Sequence, residues 1–313
     1  MRLPVLLLAG PTGAGKSAWA IGLAEAAPIE IVSVDSALVY RGLDIGTAKP
    51  SPAERARVAH HLIDICDPTE SYSAGRFLAD ALRSIRAIHG RHRVPLLVGG
   101  TMLYFRALLR GLAELPQASA EQRQEIDARA GREGWPALHA ELARLDPEAA
   151  LRISPNDPQR IQRALEVCYT TGRALSDLQR QTVSPLAGVP LRQWALVPGE
   201  RERLHERLER RFYSMLAGGF LDEVRSLHAR GDLNGGLPAL RAVGYRQLWS
   251  HLEGELSLEE ATRRGIAATR QLAKRQLTWI RSERSLQWVD PDRAGAEASW
   301  NRDVVASLRE LGL

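Results

Sequence analysis

Lysine is nearly absent from this 313-residue chain. It stands at three positions, Lys16, Lys49 and Lys274, and almost all other positive charge is arginine. A retained lysine marks either a place that wants a compact point charge, where a planar fork would not serve, or chance. Cysteine is equally scarce. Cys66 and Cys168 lie in separate periodic segments without metal-ligand spacing, and they read as core or neutral residues of a reducing cytoplasm. Long apolar runs are missing, so no segment approaches a membrane span. A signal peptide is not expected either, because the apolar run Val5 to Ala9 leads into a glycine-rich loop and no cleavage site follows. Acidic residues are in slight deficit: 37 against 42 basic ones give a formal charge of +5 and point to a polyanionic partner. The remaining composition, 44% hydrophobic and 25% charged, is that of an ordinary globular protein. The length implies one domain with an insertion, or two domains.

What is present begins with Leu6 to Ser17, LLLAGPTGAGKS. The residues Gly10, Pro11, Thr12, Gly13, Ala14, Gly15, Lys16 and Ser17 match G-x-x-x-x-G-K-S, the phosphate-binding loop. The glycines let successive backbone N–H groups turn into one concavity. The helix opening near Ser17 adds its positive end, Lys16 adds a mobile charge, and the Ser17 hydroxyl can ligate Mg²⁺. A strand-like run precedes the loop and a helix-like run follows it. The pattern implies a bound diphosphate or triphosphate without saying whose.

Ile29 to Val34 alternates and is β-branched, which predicts a strand ending at Asp35-Ser36. Ligands of doubly wound sheets bind outside the carboxyl ends of the strands, so Asp35 and the phosphate loop should face one crevice. A carboxylate there can be a metal ligand, a general base or a helix N-cap. Tyr40 to Pro50, with Asp44, Thr47 and Lys49, reads as an ordered loop over that crevice. His60 and His61 are adjacent, point apart on any regular element, and read as structural. Ser73 to His89 is a helix with Phe77, Ala81, Ile85 and Ile88 on one face, and Val94 to Val98 is a buried strand ending in Gly99-Gly100-Thr101 at the same crevice.

The texture changes near Leu115-Pro116. From Ser119 to about Arg180 there are helices and no strand. Ser119 and Gln122 stand in capping-box positions, and Asp157-Pro158 opens a helix that stops at Gly172, with Arg160 and Arg163 on one face of its first turn. A strand returns at Gln193 to Val197. The expectation is an α/β chain with a P-loop NTPase-like parallel sheet: a core over 1–115, an all-helical insertion over 116–190, and the core resumed over 191–313. In that last part Arg201 to Leu216 is a charged helix carrying Arg210-Arg211, placed as a lid arginine would be in a phosphoryl-transfer enzyme. On a helix from Leu258 to Arg284, Arg263, Arg270, Lys274 and Arg281 fall within about 40° of one another, with Ile266, Ala273, Leu277 and Ile280 as a separate apolar seam. The basic stripe, with only Glu283 as a nearby acid, reads as a phosphate-backbone track.

The set GPTGAGKS, DSALVYRGLDIGTAKP, LLVGGTMLY, DPQRIQRALEV, RAVGYRQ and KRQLTWIR resembles the bacterial tRNA dimethylallyltransferases, from the amino terminus to about Arg281. The stretch around DSALVYRG carries most of the specificity. Eukaryotic relatives carry a carboxyl-terminal zinc finger, for which this chain has no Cys/His pairs. The resemblance implies transfer of a dimethylallyl group from its diphosphate to N6 of the adenosine 3′ of the anticodon, with Mg²⁺, in a cytoplasmic monomer. It implies that the phosphate loop and Lys16 hold the donor diphosphate and that Asp35 takes the N6 proton. Thr101 would orient the substrate and Arg211 would reach the diphosphate. Contacts to tRNA map onto Asp35, Ser36, Ala37 and Leu38; onto Gln159, Arg160, Ile161, Gln162 and Arg163; onto Arg241, Ala242, Val243, Gly244, Tyr245 and Arg246; and onto Lys274 to Arg281 of the last long helix, with Arg270, Lys274, Arg275 and Arg281 as its cations. The alternatives are a small-molecule ATP-dependent kinase, with Asp35 activating a hydroxyl, and a nucleotide switch that binds RNA without chemistry.

Overall fold

The apolar runs near the amino terminus become strands buried on both faces, as parallel strands between helical layers must be. The structure is a computed structural model describing residues 3–113, 115–116 and 119–310. Residues 1–2 and 311–313, at the outer ends of the expected core, and 114, 117 and 118, beside its expected boundary, lie outside the described residues. The chain begins with β1 (Val5–Ala9), α1 (Lys16–Ala26) and β2 (Ile29–Val34). It continues through α2 (Pro52–Arg57), the short β3 (His60–His61), α3 (Ala74–Gly90), β4 (Val94–Gly99) and α4 (Met102–Arg110). Five helices follow: α5 (Ala120–Glu133), α6 (Trp135–Leu145), α7 (Pro147–Arg152), α8 (Pro158–Thr171) and α9 (Leu175–Arg180). Then come β5 (Leu191–Leu196), α10 (Arg201–Ala217), α11 (Phe220–His228), α12 (Tyr245–Leu252), α13 (Leu258–Ser282), β6 (Gln287–Val289) and α14 (Ala296–Glu310).

The residues up to Arg106 and those from Gly188 onward make one unit, and Ala107–Ala187 make a second. The sequence placed this boundary at 116, where composition changes. The division instead falls inside α4, a continuous helix whose pattern has no break to signal it.

In the first unit the strands form one parallel sheet in the order β3-β2-β4-β1-β5-β6. One face is covered by α1 and α14: Leu6, Leu8, Ile31, Leu96 and Leu196 pack on Leu23, Trp19, Trp300 and Val304. The Trp300 ring lies 5.6 Å from Trp19 and 5.8 Å from Trp194. On the other side α3 packs on β2 and β4 through the face that its periodicity predicted, with Phe77 stacked on Tyr104 at 4.1 Å. Each such fully buried side chain contributes about 1.5–3 kcal/mol.

The second unit has its own core, built from Ile126, Leu138, Leu142, Ile161, Leu165 and Leu175 among others. Asp157 caps α8 through the Arg160 amide, with Pro158 first in the helix and Gly172 ending it in the left-handed conformation. The capping box expected at Ser119 is half made. Ser119 accepts from the Gln122 amide, but the Gln122 side chain accepts from Thr170 on α8. Helix α7 escaped the sequence pattern because six residues are too few to show periodicity.

Candidate active site

The phosphate loop turns out of β1 as its spacing requires. Gly13 and Gly15 sit at φ 78° and 87°, a region open to glycine at no steric cost. Helix α1 then starts at Lys16, which points back so that Nζ donates to the Pro11 carbonyl at 2.8 Å. Two ammonium protons remain for a ligand. Burial pushes the Lys16 ammonium down to about 8; Asp35 opposes this and Arg211 reinforces it. Ser17 is exposed in the first turn.

Asp35 owes its position to strand order. Ala9, Gly99 and Val34 are in register across β1, β4 and β2, so Gly10, Gly100 and Asp35 leave the sheet side by side. Asp35 is two strands from the loop, about 10 Å at the usual spacing. Gly99 is required at the middle strand, since a Cβ there would lie 2.0 Å from the Val34 carbonyl oxygen. Asp35 Oδ1 accepts from the amides of Ala37 at 2.8 Å and Leu38 at 3.4 Å. No helix follows, so this carboxylate closes a turn and is not a helix cap. Thr101 Oγ1 accepts from the Ser36 amide at 3.0 Å and donates to Ser36 Oγ, tying the ends of β2 and β4 together.

Thr12, Asp35, Ser36 and Thr101 open on a cavity of about 500 Å³. Its polar wall holds Thr12, Asp35, Ser36, Thr101, Arg241 and Arg275, and its apolar wall Ala37, Met102, Leu208, Phe212, Met215, Phe220 and Trp279. Ala242, Val243 and Tyr245 also line it. Arg211 enters from α10. Burial lowers its pKa, Asp35 opposes that, and it forms no ion pair among the described residues. Its neighbour Arg210 faces solvent.

Three residues of this site were not singled out from the sequence. Arg207, one turn before Arg211, donates to the Gly13 carbonyl at 3.1 Å and pairs with Asp292 at 2.6 Å; its spacing of four from Arg211 was the available signal. Glu223 accepts from the amides of Asp44, Ile45 and Gly46 and from the Tyr245 hydroxyl, which pins the crevice loop to α11. No pattern in the sequence marks it. Gln276 lies buried at the edge of the apolar seam of α13, where a polar residue is itself a signal. It accepts from the Thr12 amide and donates to the Gly100 carbonyl, both at 2.9 Å.

Other expected site residues are not part of the cavity lining. Of the phosphate loop only Thr12 lines the cavity; Gly10, Pro11, Gly13, Ala14, Gly15, Lys16 and Ser17 do not, and neither do Leu38, Gly244, Arg246, Arg270, Lys274 and Arg281. Gln159, Arg160, Ile161, Gln162 and Arg163 belong to the helical unit. There Ile161 is core, Gln162 donates to Asp127, and Arg163 pairs with Glu166. The basic stripe of α13 is also less bare than its sequence implied. Arg263 pairs with Glu260 on its own helix, and Arg270 with Glu209 on α10 at 2.6 Å. Helical spacing could not show an acid arriving from another helix. Lys274 and Arg281 are exposed and make no ion pair among the described residues.

Of the other lysine and the histidines, none forms a site. Lys49 is 2% exposed and meets Asp44, Asp64 and the Tyr40 carbonyl. His61 meets Glu30, and His60 the Val58 carbonyl. No group of three His, Cys, Asp or Glu able to hold a metal occurs among the described residues. No helix among them is long and apolar enough to cross a membrane.

Comparison with known proteins covers nearly the whole chain. The family model described as IPP transferase matches residues 38–283, and that described as isopentenyl transferase matches residues 3–67. The tRNA dimethylallyltransferase of Bordetella petrii is 59% identical over 289 residues, 92% of each chain. That of Methylococcus capsulatus is 58% identical over 306 residues, 97% of this chain and 98% of the other. Among solved structures, the tRNA isopentenylpyrophosphate transferase of Bacillus halodurans superposes with a TM-score of 0.72 at 36% identity, over 99% and 98% of the two chains. A eukaryotic dimethylallyltransferase acting on tRNA gives 0.82 at 26% identity, over 99% of this chain and 80% of the other. Matched by the family model over residues 38–283 and by these relatives over nearly its full length, the chain belongs to the tRNA dimethylallyltransferase (IPP transferase) family.

Proposed function

We propose that this chain transfers a dimethylallyl group from dimethylallyl diphosphate to N6 of the adenosine 3′-adjacent to the anticodon of a tRNA, releasing diphosphate. The observation that carries this reading is one cavity holding Asp35, Thr101 and Arg211 beside an apolar wall, at the strand ends next to the phosphate loop. A kinase acting on a small polar substrate has no use for Met102, Leu208, Phe212 and Met215 at that point, whereas a five-carbon apolar group does.

In the proposed step the N6 lone pair attacks C1 of the donor, the C1–O bond breaks, and the bonding pair leaves with diphosphate. The N6 proton passes to Asp35. An exocyclic amino nitrogen is a weak nucleophile, and a positioned carboxylate raises its reactivity as the proton departs. Lys16, the loop amides and Arg211 hold the charge that builds on the diphosphate. Thr101, tied to Ser36, orients the adenine beside Asp35. The Ser17 hydroxyl, exposed in the first turn of α1, is an oxygen of the kind Mg²⁺ takes beside phosphates, and it would hold the ion there. The metal would supply neutralisation of the charge on the departing diphosphate.

The base must leave its stack to reach the carboxylate, at a cost of a few kcal/mol. Contacts to tRNA from Asp35–Leu38, from Gln159, Arg160, Gln162 and Arg163, from Arg241–Arg246 and from the α13 residues Arg270, Lys274, Arg275 and Arg281 offset that cost, with Ile161 holding its helix in the core. The protein works as a cytoplasmic monomer, where unmodified tRNA is available. Incubation with unmodified tRNA and radiolabelled dimethylallyl diphosphate, without ATP, tests the reading. Label in tRNA is expected; label only on addition of ATP, or none, overturns it.

A further inference from the structure

Gln276 holds two loops at once. Its Oε1 accepts from the amide of Thr12 in the phosphate loop, and its Nε2 donates to the carbonyl of Gly100, the residue before Thr101. The residue is 9% exposed, and each hydrogen bond is 2.9 Å. A glutamine amide has one acceptor end and one donor end, so it can join an N–H on one loop to a C=O on another. The two loops leave neighbouring strands, β1 and β4, and no backbone ladder joins them beyond Ala9 and Gly99. Gln276 is thus a side-chain rung added where the sheet stops. A Cβ at Gly100 would lie 2.3 Å from Gln276 Nε2, so the Gly100 backbone and this amide are in close contact. The neighbours Arg275 and Trp279 on α13 line the cavity together with Gln276.

We propose that Gln276 is a positioning residue for the prenyl transfer. It sets the spacing between the phosphate loop, which holds the leaving diphosphate, and the Gly100-Thr101 loop, which orients the attacking base. The inference rests on the proposed function above. In-line attack needs the reacting atoms about 3–3.5 Å apart, and a displacement of about 1 Å costs about 10²-fold in rate. Each substrate keeps its own contacts when the rung is lost, so the loss falls on kcat and spares both KM values.

Two variants test this. Gln276→Met keeps length and loses both hydrogen bonds. Gln276→Glu keeps the acceptor for Thr12 and regains a donor toward Gly100 only when its carboxyl is protonated, which burial favours. Wild-type turnover with dimethylallyl diphosphate and tRNA comes first; its absence defeats the proposed function and not this role. Given that turnover, single-turnover rates for Gln276→Met are expected to fall about 10²-fold, with both KM values within about threefold. For Gln276→Glu, the rate relative to wild type is expected to rise as pH falls. A normal kcat in Gln276→Met, whatever its melting temperature, overturns the proposal. So does a Gln276→Glu rate that stays below wild type by the same factor at every pH.

Discussion

Burial pushes the Lys16 ammonium down to about 8, against the pull of Asp35 and with the push of Arg211. The sign of the consequence follows from the free lysine value of 10.5. Between about 8 and 10.5 the unfolded chain holds this proton and the folded chain does not, so the Lys16 contribution to stability rises with pH across that window. A diphosphate binds the charged form, and its affinity therefore falls as pH rises through about 8. Calorimetric titration of inorganic pyrophosphate from pH 7 to 9.5 should show this loss in wild type, and weaker, flatter binding in Lys16→Met. Parallel curves would remove Lys16 from the diphosphate site. For Asp35 the decisive change is Asp35→Asn. The asparagine Oδ1 still accepts from the Ala37 amide, so the turn is kept while the proton acceptor is lost. Single-turnover rates should drop by about 10²–10⁴ with tRNA affinity retained. Partial recovery at high Mg²⁺ would make Asp35 a metal ligand instead.

At the scale of the element, α13 combines two roles along its length. Its buried side carries Ile266, Ala273, Gln276 and Ile280, and its outer side carries the cations. The pairs Arg263–Glu260 and Arg270–Glu209 divide those cations into two kinds. A paired arginine must give up its carboxylate to meet a phosphate, whereas Lys274 and Arg281 are already exposed. Each phosphate contact contributes about 0.7 to the log-log salt slope on single-stranded RNA. The double variant Lys274→Ala/Arg281→Ala should therefore flatten the slope of tRNA binding by about 1.4. Arg263→Ala should change it little. Filter binding between 50 and 200 mM salt reads the difference, and equal slopes would return the whole stripe to a solvated face. The crevice loop Tyr40 to Pro50 is held differently, by Glu223 beneath three of its amides and by buried Lys49.

Across the whole molecule, two units carry separate cores, and the helical one depends on a buried acid. Asp146 is fully buried and accepts from the Ala149 amide and from the amide and hydroxyl of Ser176, joining α7 to α9. Burial alone would raise its pKa; the hydrogen bonds outweigh it and hold the carboxyl below its ordinary value. Such a group stabilises the fold above the unfolded value of 3.8, and that contribution is lost as pH falls through the folded one. Asp146→Asn turns an NH₂ toward a donor and should cost about 1–3 kcal/mol at neutral pH. The deficit should shrink below pH 4. Urea unfolding at pH 7 and pH 3.5 measures both, and a deficit independent of pH would assign it to packing instead.

The sequence alone determined the features that are local in the chain. The phosphate loop, the strands at Val5–Ala9, Ile29–Val34 and Val94–Gly99, and the cap at Asp157 each depend on residues a few positions apart. The placement of Lys16 was legible for the same reason. Lys49 was marked by the same scarcity of lysine, but its role as a buried tie to Asp44 and Asp64 was not, because Asp64 comes from another part of the chain. Only the tertiary structure decided that β4 lies between β1 and β2, and so that Thr101 stands between the phosphate loop and Asp35. It also decided that Glu209 meets Arg270 and that Gln276 meets Thr12 and Gly100. Those pairings join residues from 61 to 264 positions apart. Helical and strand periodicity state which side of an element is buried, and they carry no information about which distant element will cover it.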